Sequence, residues 1–124
     1  MKELTKAEEQ LMHYLWNLQK AYLKDIVEQY PSPAPAYTTI STVVNVLVKK
    51  GFVGFQTHGK AREYHPIITK ENYTKQSMNG LMNSFFDNSA KKFASFFATQ
   101  DDLSVEELRE IRKLIDDQIA HRKS

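Results

Sequence analysis

Residues 36–68, AYTTISTVVNVLVKKGFVGFQTHGKAREYHPII, decide the fold of this chain. In their first half, apolar residues recur at the spacing i, i+3, i+4 and i+7, which is the stripe that a helix buries against a core. These residues are Ile40, Val43, Val44 and Leu47. Two lysines then complement the negative end of the helix dipole, and Gly51 suits the left-handed position after a helix. We therefore predict an amphipathic helix that ends at Lys49-Lys50-Gly51.

The opposite side of this predicted helix is polar but uncharged. Helical rotation brings together Thr38, Ser41, Thr42 and Asn45. Small hydroxyl and amide side chains can pair with base edges or phosphate oxygens, so this side suits the floor of a major groove. An ordinary solvated face is the alternative, but such a face would be expected to include Glu or Asp, and this one does not.

Beyond Gly51 the pattern changes to that of a β-hairpin. Phe52, Val53 and Phe55 predict a strand, residues 57–60 a turn, and residues 61–67 a second strand. The tip carries Lys60 and Arg62, and the stretch holds four basic residues against one acid. A helix followed directly by a basic hairpin is typical of a winged helix-turn-helix, in which the wing contacts the DNA backbone.

The residues before this stretch supply the other helices of such a domain. Thr5 with Glu8 forms a capping box, and apolar residues at helical spacing predict a first helix from about Lys6 to Leu18. A short second helix should follow over residues 23–30, because its apolar pattern ends at three closely spaced prolines. We expect a mainly α protein whose winged-helix domain spans residues 1–68.

Residues 69–124 are predicted to form helices that need a partner. Ser104 and Glu107 form a second capping box at the start of the last helix. About 55 residues are too few to enclose the five phenylalanines of this part, and exposed apolar area of that kind normally marks an interface. Folding back onto the winged domain is the alternative. The predicted dimer interface consists of Leu81, Phe85, Phe86, Phe93, Phe96, Phe97, Leu108, Ile111, Leu114 and Ile115.

The charge balance of the chain and the motifs that it lacks exclude several classes of function. The chain has 17 basic and 15 acidic residues, so DNA binding has to depend on the local basic patch rather than on net charge. It has no cysteine, no Gly-rich phosphate loop, no nucleophile elbow and no His-Glu-x-x-His pair, and its four histidines lack ligand spacing. We expect no enzyme activity, no cofactor, no metal site and no small-molecule substrate. The absence of a signal peptide and of an apolar span predicts a cytoplasmic protein.

Several motifs resemble the penicillinase-repressor family of bacterial transcription regulators. They are Leu4-Thr5-Lys6-Ala7-Glu8 with Trp16, Tyr37-Thr38-Thr39-Ile40-Ser41-Thr42, Lys49-Lys50-Gly51-Phe52-Val53, Tyr64-His65-Pro66 and the segment from Asp101 to Leu108. The resemblance covers nearly the whole chain. It implies a homodimeric repressor, with an N-terminal winged helix and C-terminal dimerisation helices, bound to a two-fold double-stranded DNA operator.

The resemblance also implies a further partner, but the chain lacks two motifs that members of the family carry. Family members that respond to β-lactams are inactivated by a membrane-bound metalloprotease receptor that cuts an Asn-Phe bond. Here the matching region reads Phe93-Ala94-Ser95-Phe96-Phe97, and the chain contains no Asn-Phe dipeptide. Copper-responsive members carry a C-terminal cysteine cluster, which this chain lacks. Cleavage at that dipeptide and copper sensing of that kind are therefore not expected.

We interpret the chain as a sequence-specific DNA-binding repressor. The residues expected to contact DNA are Thr38, Thr39, Ser41, Thr42, Asn45, Lys49, Lys60 and Arg62. Two other classes stay open at this point. One is a winged domain used for protein contact, which would favour larger apolar anchors on the third helix. The other is a small enzyme or ligand-binding dimer with a pocket among the C-terminal aromatic residues.

Overall fold

The computed structural model describes residues 3–123 and is mainly helical, with one small sheet. The elements are α1 Lys6–Leu18, β1 Ala21–Tyr22, α2 Leu23–Glu28, α3 Tyr37–Lys49, β2 Val53–His58, β3 Ala61–Pro66, α4 Lys70–Phe86, α5 Ala90–Ala98 and α6 Val105–Lys123. This order of helices and hairpin is that of a winged helix-turn-helix, as predicted.

The boundaries of α1 follow from its N-terminal capping box, as the sequence indicated. The Thr5 hydroxyl accepts the backbone N–H of Glu8 at 3.2 Å, and the Glu8 carboxylate accepts the backbone N–H of Thr5 at 3.0 Å. These two bonds satisfy N–H groups that a helix start leaves without partners. Leu11, Met12 and Leu15 of this helix are fully buried in the core.

The end of α3 has the geometry expected for Gly51. The backbone N–H of Phe52 bonds to the Leu47 carbonyl at 3.0 Å and that of Gly51 to the Val48 carbonyl at 3.1 Å. Gly51 has φ +83°, so these bonds form the Schellman motif, which reverses the chain at a helix end. Only Lys50, Gly51 and Phe52 separate α3 from β2, so the hairpin follows the helix directly.

The sheet is antiparallel, with the strand order β1-β3-β2. The hairpin register pairs Phe55 with Tyr64 and His58 with Ala61, which leaves Gly59 and Lys60 as a two-residue loop. The first hairpin strand therefore continues to His58, where the sequence pattern had suggested a turn from residue 57. The strand β1, which pairs Ala21 with Tyr64, was not predicted.

The core of the winged domain lies among α1, α2, α3 and the sheet. Its buried side chains are Leu11, Met12, Leu15, Ala21, Ile26, Ile40, Val44, Leu47, Phe52, Val53 and Tyr64. Ile40, Val44 and Leu47 belong to the predicted stripe of α3, whereas its fourth member, Val43, is partly buried. Full burial of a side chain of this size stabilises a fold by about 1.5–3 kcal/mol, so these residues hold α3 in a fixed orientation.

The chain forms two compact units that divide between Ser77 and Met78, inside α4. The sequence-based boundary between residues 68 and 69 precedes α4 instead. In the second unit, none of the described residues from Met78 to Lys123 is buried. The capping box of α6 is present, with Ser104 N–H to the Glu107 carboxylate at 3.1 Å and the reverse bond at 3.0 Å.

Candidate nucleic-acid interface

The side of α3 opposite the core is open to solvent. Thr38, Thr39, Thr42 and Asn45 are exposed, and Ser41 is partly buried. We call Thr38, Ser41, Thr42 and Asn45 the polar flank of α3. Thr39 lies about 100° further round the helix than Thr38, so it borders this flank rather than lying within it.

One hydroxyl of the polar flank already has a partner. The Thr42 side chain donates to the Thr38 carbonyl at 2.9 Å. This bond to the preceding turn occupies the hydroxyl proton and orients the side chain. Thr42 is therefore left with an acceptor oxygen and a methyl group to present outward, whereas Asn45 offers both a donor and an acceptor.

The N-terminal end of α3 lacks a side-chain cap. Its N-cap residue is Ala36, which has no hydrogen-bonding side chain, and the first turn contains no acidic residue. A helix start without these groups keeps free N–H donors and the positive end of the dipole. Such an end favours a phosphate, and it lies at one end of the polar flank.

At the other end of α3 the two lysines differ. Lys49 is exposed, but the Lys50 ammonium contacts the Glu8 carboxylate at 2.7 Å, with side-chain exposures of 21% and 9%. Burial alone would raise the pKa of Glu8, but hydrogen bonds from Lys50 and the Thr5 backbone outweigh it, so this pKa lies below its usual value. Lys50 belongs to a structural ion pair, and the basic patch is smaller by one charge than the sequence suggested.

The wing presents two exposed basic residues, Lys60 at the loop and Arg62 on β3. The Arg62 guanidinium carbon lies 4.3 Å from the centre of the Phe55 ring on the neighbouring strand. Stacking of this kind restricts the arginine while leaving the edge of its planar group available to an anion. On the same hairpin, His58 lies 3.4 Å from the Glu63 carboxylate.

Sequence reasoning missed two roles that shape this surface: Phe55 supports Arg62, and Glu8 withdraws Lys50 into an ion pair. A signal for Phe55 was present, because a hairpin with its loop at Gly59 and Lys60 makes Phe55 and Arg62 diagonal neighbours. No comparable signal linked Glu8 to Lys50. They lie 42 residues apart, and only the packing of α1 near the end of α3 brings them together.

Apolar side chains of the second unit are also exposed to solvent. Phe85 is 75% exposed, Leu114 65% and Phe96 57%. The other predicted interface residues are exposed or only partly buried: Leu81, Phe86, Phe93, Phe97, Leu108, Ile111 and Ile115. Ring contacts join Phe86 to Phe93, with centroids 5.4 Å apart. These contacts order the aromatic side chains without covering them.

Metal clusters and membrane spans are both missing from residues 3–123. Within that range, no group of three or more histidine, aspartate or glutamate side chains lies close enough to hold a metal ion. No helix of the same range has both the length and the apolar character needed to cross a membrane.

The core arrangement, the Schellman turn and the basic hairpin together define a winged helix-turn-helix protein. Comparison with known proteins gives the family. The model of the family described as penicillinase repressor matches residues 4–117. The chain therefore belongs to the penicillinase repressor family, and it is a DNA-binding transcriptional repressor.

Individual relatives agree in length but are distant in sequence. The methicillin resistance regulatory protein MecI of Staphylococcus aureus strain N315 is 23% identical over 114 residues, which cover 91% of this chain and 93% of MecI. The penicillinase repressor of Bacillus licheniformis is 22% identical over 116 residues, which cover 93% of this chain and 91% of the relative.

Solved structures support the same fold. The solution structure of the DNA binding domain of the repressor BlaI has a TM-score of 0.51 at 23% identity, covering 59% of this chain and 94% of that domain. A crystal structure of an E. coli MarR mutant also has a TM-score of 0.51, at 11% identity, covering 94% of this chain and 79% of the other. At such identities the likeness concerns the fold alone.

Proposed function

We propose that the protein represses transcription as a homodimer bound to a pseudo-palindromic operator, with α3 in the major groove and the wing on the backbone. The observation that carries this proposal is the solvent-exposed polar flank of α3, which is uncharged and lies next to a basic hairpin. A surface without carboxylates can approach the phosphates that border the groove at no cost in charge repulsion.

Base-edge contacts are assigned to Thr38, Thr39, Ser41, Thr42 and Asn45. The Asn45 amide can form a bidentate pair with adenine, which makes it the residue with the greatest capacity to discriminate between bases. Thr42, whose hydroxyl proton is bonded to the Thr38 carbonyl, can accept one hydrogen bond or contact a thymine methyl. The remaining threonines and Ser41 would pair with bases or phosphates according to their depth in the groove.

Backbone contacts are assigned to Lys49, Lys60 and Arg62. Each is exposed, and among the described residues none of the three has the kind of short carboxylate contact that occupies Lys50. Contacts to phosphates position a protein on DNA without reading sequence. Each protomer supplies three such cations, so a dimer supplies six. A plot of the logarithm of the DNA association constant against the logarithm of the salt concentration should therefore have a slope of about −5.

Dimerisation is assigned to the apolar residues of the second unit. Side chains such as Phe85 and Leu114, more than half exposed in one chain, form a surface that water disfavours and that a second copy would cover. Pairing also raises affinity, because the second domain binds DNA almost intramolecularly once the first is bound. The two copies of α3 would then meet half-sites about one helical turn apart, or a multiple of it.

The sequence does not fit control of repression by cleavage at Asn-Phe. The Phe93–Phe97 region lies within α5, where the backbone is helical, and the chain has no Asn-Phe bond. A membrane-bound metalloprotease receptor would therefore have to use another bond. We propose a cytoplasmic repressor whose release from DNA does not depend on cleavage at Asn-Phe.

Selection from a pool of random DNA duplexes tests the proposal. We expect enrichment of one motif made of two inverted half-sites, and sedimentation of the free protein at twice the mass of the 14.4 kDa chain at micromolar concentration. Recovery of unrelated sequences would refute sequence-specific binding. A species of monomer mass under the same conditions would refute the dimer.

A further inference from the structure

An open cavity of about 750 Å³ lies within the first unit, and none of its lining residues belongs to the polar flank of α3 or to the wing tip. Its walls come from the end of α1, the end of β3 and the start of α4. Concave sites of about 300–1,000 Å³ are typical of small-molecule ligands. The residues on its wall combine an aromatic ring with charged groups, and neither the DNA-binding nor the dimer surface uses them.

The backbone at one wall is held in a rare conformation. Gln19 has φ +67° and ψ −41°, and the Lys20 N–H donates to the Leu18 carbonyl at 2.8 Å. Together these features make a γ-turn with positive φ, which is strained and uncommon for a residue other than glycine. Strained backbone is concentrated at functional sites because the surrounding structure has to maintain it. Here it sets the backbone of Lys20 at the cavity wall.

The cavity is also lined by His65, whose ring position depends on a glycine in β2. The His65 ring lies across Gly54, and a Cβ atom on Gly54 would come within 2.7 Å of the His65 Nε2 atom. Glycine in a strand often marks a place where another group approaches closely, and here that group is an imidazole that lines the cavity. Any larger residue at position 54 would have to displace the His65 ring.

The charges on the wall favour a single negative charge in the ligand. Lys20 and Lys70 line the cavity with one acid, Glu71, and within residues 3–123 neither lysine forms an ion pair. Two cations against one anion suit a monoanion better than a multiply charged phosphate. The indole of Trp16 and the ring of Pro66 provide apolar contact area beside these charges.

We propose that this cavity binds a small monocarboxylate with an apolar body, its carboxylate between Lys20 and Lys70 and its body against Trp16. The Trp16 N–H donates to the Ile68 carbonyl at 2.9 Å, so this ring also ties α1 to the segment that leads into α4. A ligand seated here contacts that segment and the end of the wing strand β3. The site is distinct from the DNA surface, and its existence does not depend on the assigned DNA contacts.

The test uses the intrinsic fluorescence of the full chain, because Trp16 is its only tryptophan. Phenylacetate, 3-phenylpropionate and hexanoate are titrated as carboxylate probes, with phenylacetamide as the neutral counterpart of the first. We expect a saturable change for at least one carboxylate, and binding of the amide at least about tenfold weaker than that of phenylacetate. Absence of saturable binding by all three carboxylates, or equal binding of the acid and its amide, would overturn the proposal.

Variants locate the bound carboxylate. Lys20→Gln and Lys70→Gln should each raise the dissociation constant about fivefold, and Lys70→Arg should largely retain binding. Lys24→Gln is the matched control, because Lys24 is an exposed lysine of the same unit that does not line the cavity. If Lys24→Gln weakens binding as much as Lys70→Gln does, the carboxylate responds to overall charge and the assigned site is wrong. All these substitutions are at exposed positions, so they leave the fold intact.

Discussion

Replacing Glu8 by glutamine isolates the charge of the ion pair that joins α1 to the end of α3. The amide oxygen of the introduced glutamine can still accept the Thr5 N–H, since glutamine serves in capping boxes as glutamate does. What is lost is the negative charge that faces the Lys50 ammonium at 2.7 Å, between side chains only 9% and 21% exposed. The bond itself can persist, because the same Glu8 Oε1 atom accepts from both Thr5 and Lys50. A bond to a charged group is stronger than an ordinary one by about 1 kcal/mol, so we expect a loss of about 1 kcal/mol in unfolding free energy at neutral pH.

The loss should depend on pH in a defined direction. The pKa of Glu8 is lowered in the folded protein, so its carboxylate stabilises the fold fully above the unfolded pKa. This contribution disappears as the pH falls through the folded pKa, because the carboxyl group then becomes neutral in both states. The difference between the wild type and Glu8→Gln should accordingly shrink in acid.

Urea unfolding followed by Trp16 fluorescence measures this difference for the winged domain, which contains the chain's only tryptophan. Glu28→Gln is a suitable control, because Glu28 is an exposed carboxylate at the end of α2. Equal unfolding free energies for the two variants at neutral pH would refute the reasoning. So would a deficit in Glu8→Gln that stays constant as the pH is lowered.

Three further predictions concern the helix end, the dimer and the wing. Gly51→Ala should destabilise the winged domain by about 1–2 kcal/mol in the same urea assay, because the new Cβ has free space but φ is +83°; an unchanged midpoint would contradict this. Leu114→Glu should convert the dimer to a monomer in sedimentation equilibrium, and a persistent dimer would move the interface elsewhere. Phe55→Leu should weaken binding to all DNA sequences about two- to fivefold in anisotropy titrations, because Arg62 loses the ring beneath it, whereas a change in sequence preference would argue against this role.

The predictions from sequence succeeded where short-range chemistry decides the structure. The Thr5 and Glu8 pair located the start of α1, and Gly51 located the end of α3, because capping interactions involve residues three to five positions apart. The polar flank of α3 followed from the apolar stripe on its other side. In each case one local pattern was enough.

Features that depend on long-range packing were not predictable in this way. A strand of two residues, Ala21 and Tyr22, has no periodicity to detect and exists only through its pairing with β3. Lys50 was counted among the basic residues of its stretch, and nothing local in the sequence indicated its ion pair with Glu8, 42 residues away. The acceptor role of Thr42 depends on a local bond, but also on a rotamer that the sequence does not specify.

The central claim, that the polar flank of α3 reads bases while the wing contacts the backbone, is tested most directly by the ratio of operator to random-duplex affinity over a range of salt concentrations. Asn45→Ala should reduce this ratio about fivefold or more and leave the salt dependence unchanged, because it removes a base contact of about 1–3 kcal/mol. Lys60→Ala should weaken both affinities alike and reduce the salt slope by about 1 per protomer. The account is contradicted if Asn45→Ala keeps the full affinity ratio, or if Lys60→Ala alone reduces it. Either result would mean that α3 does not recognise the base sequence or that the wing does more than contact the DNA backbone.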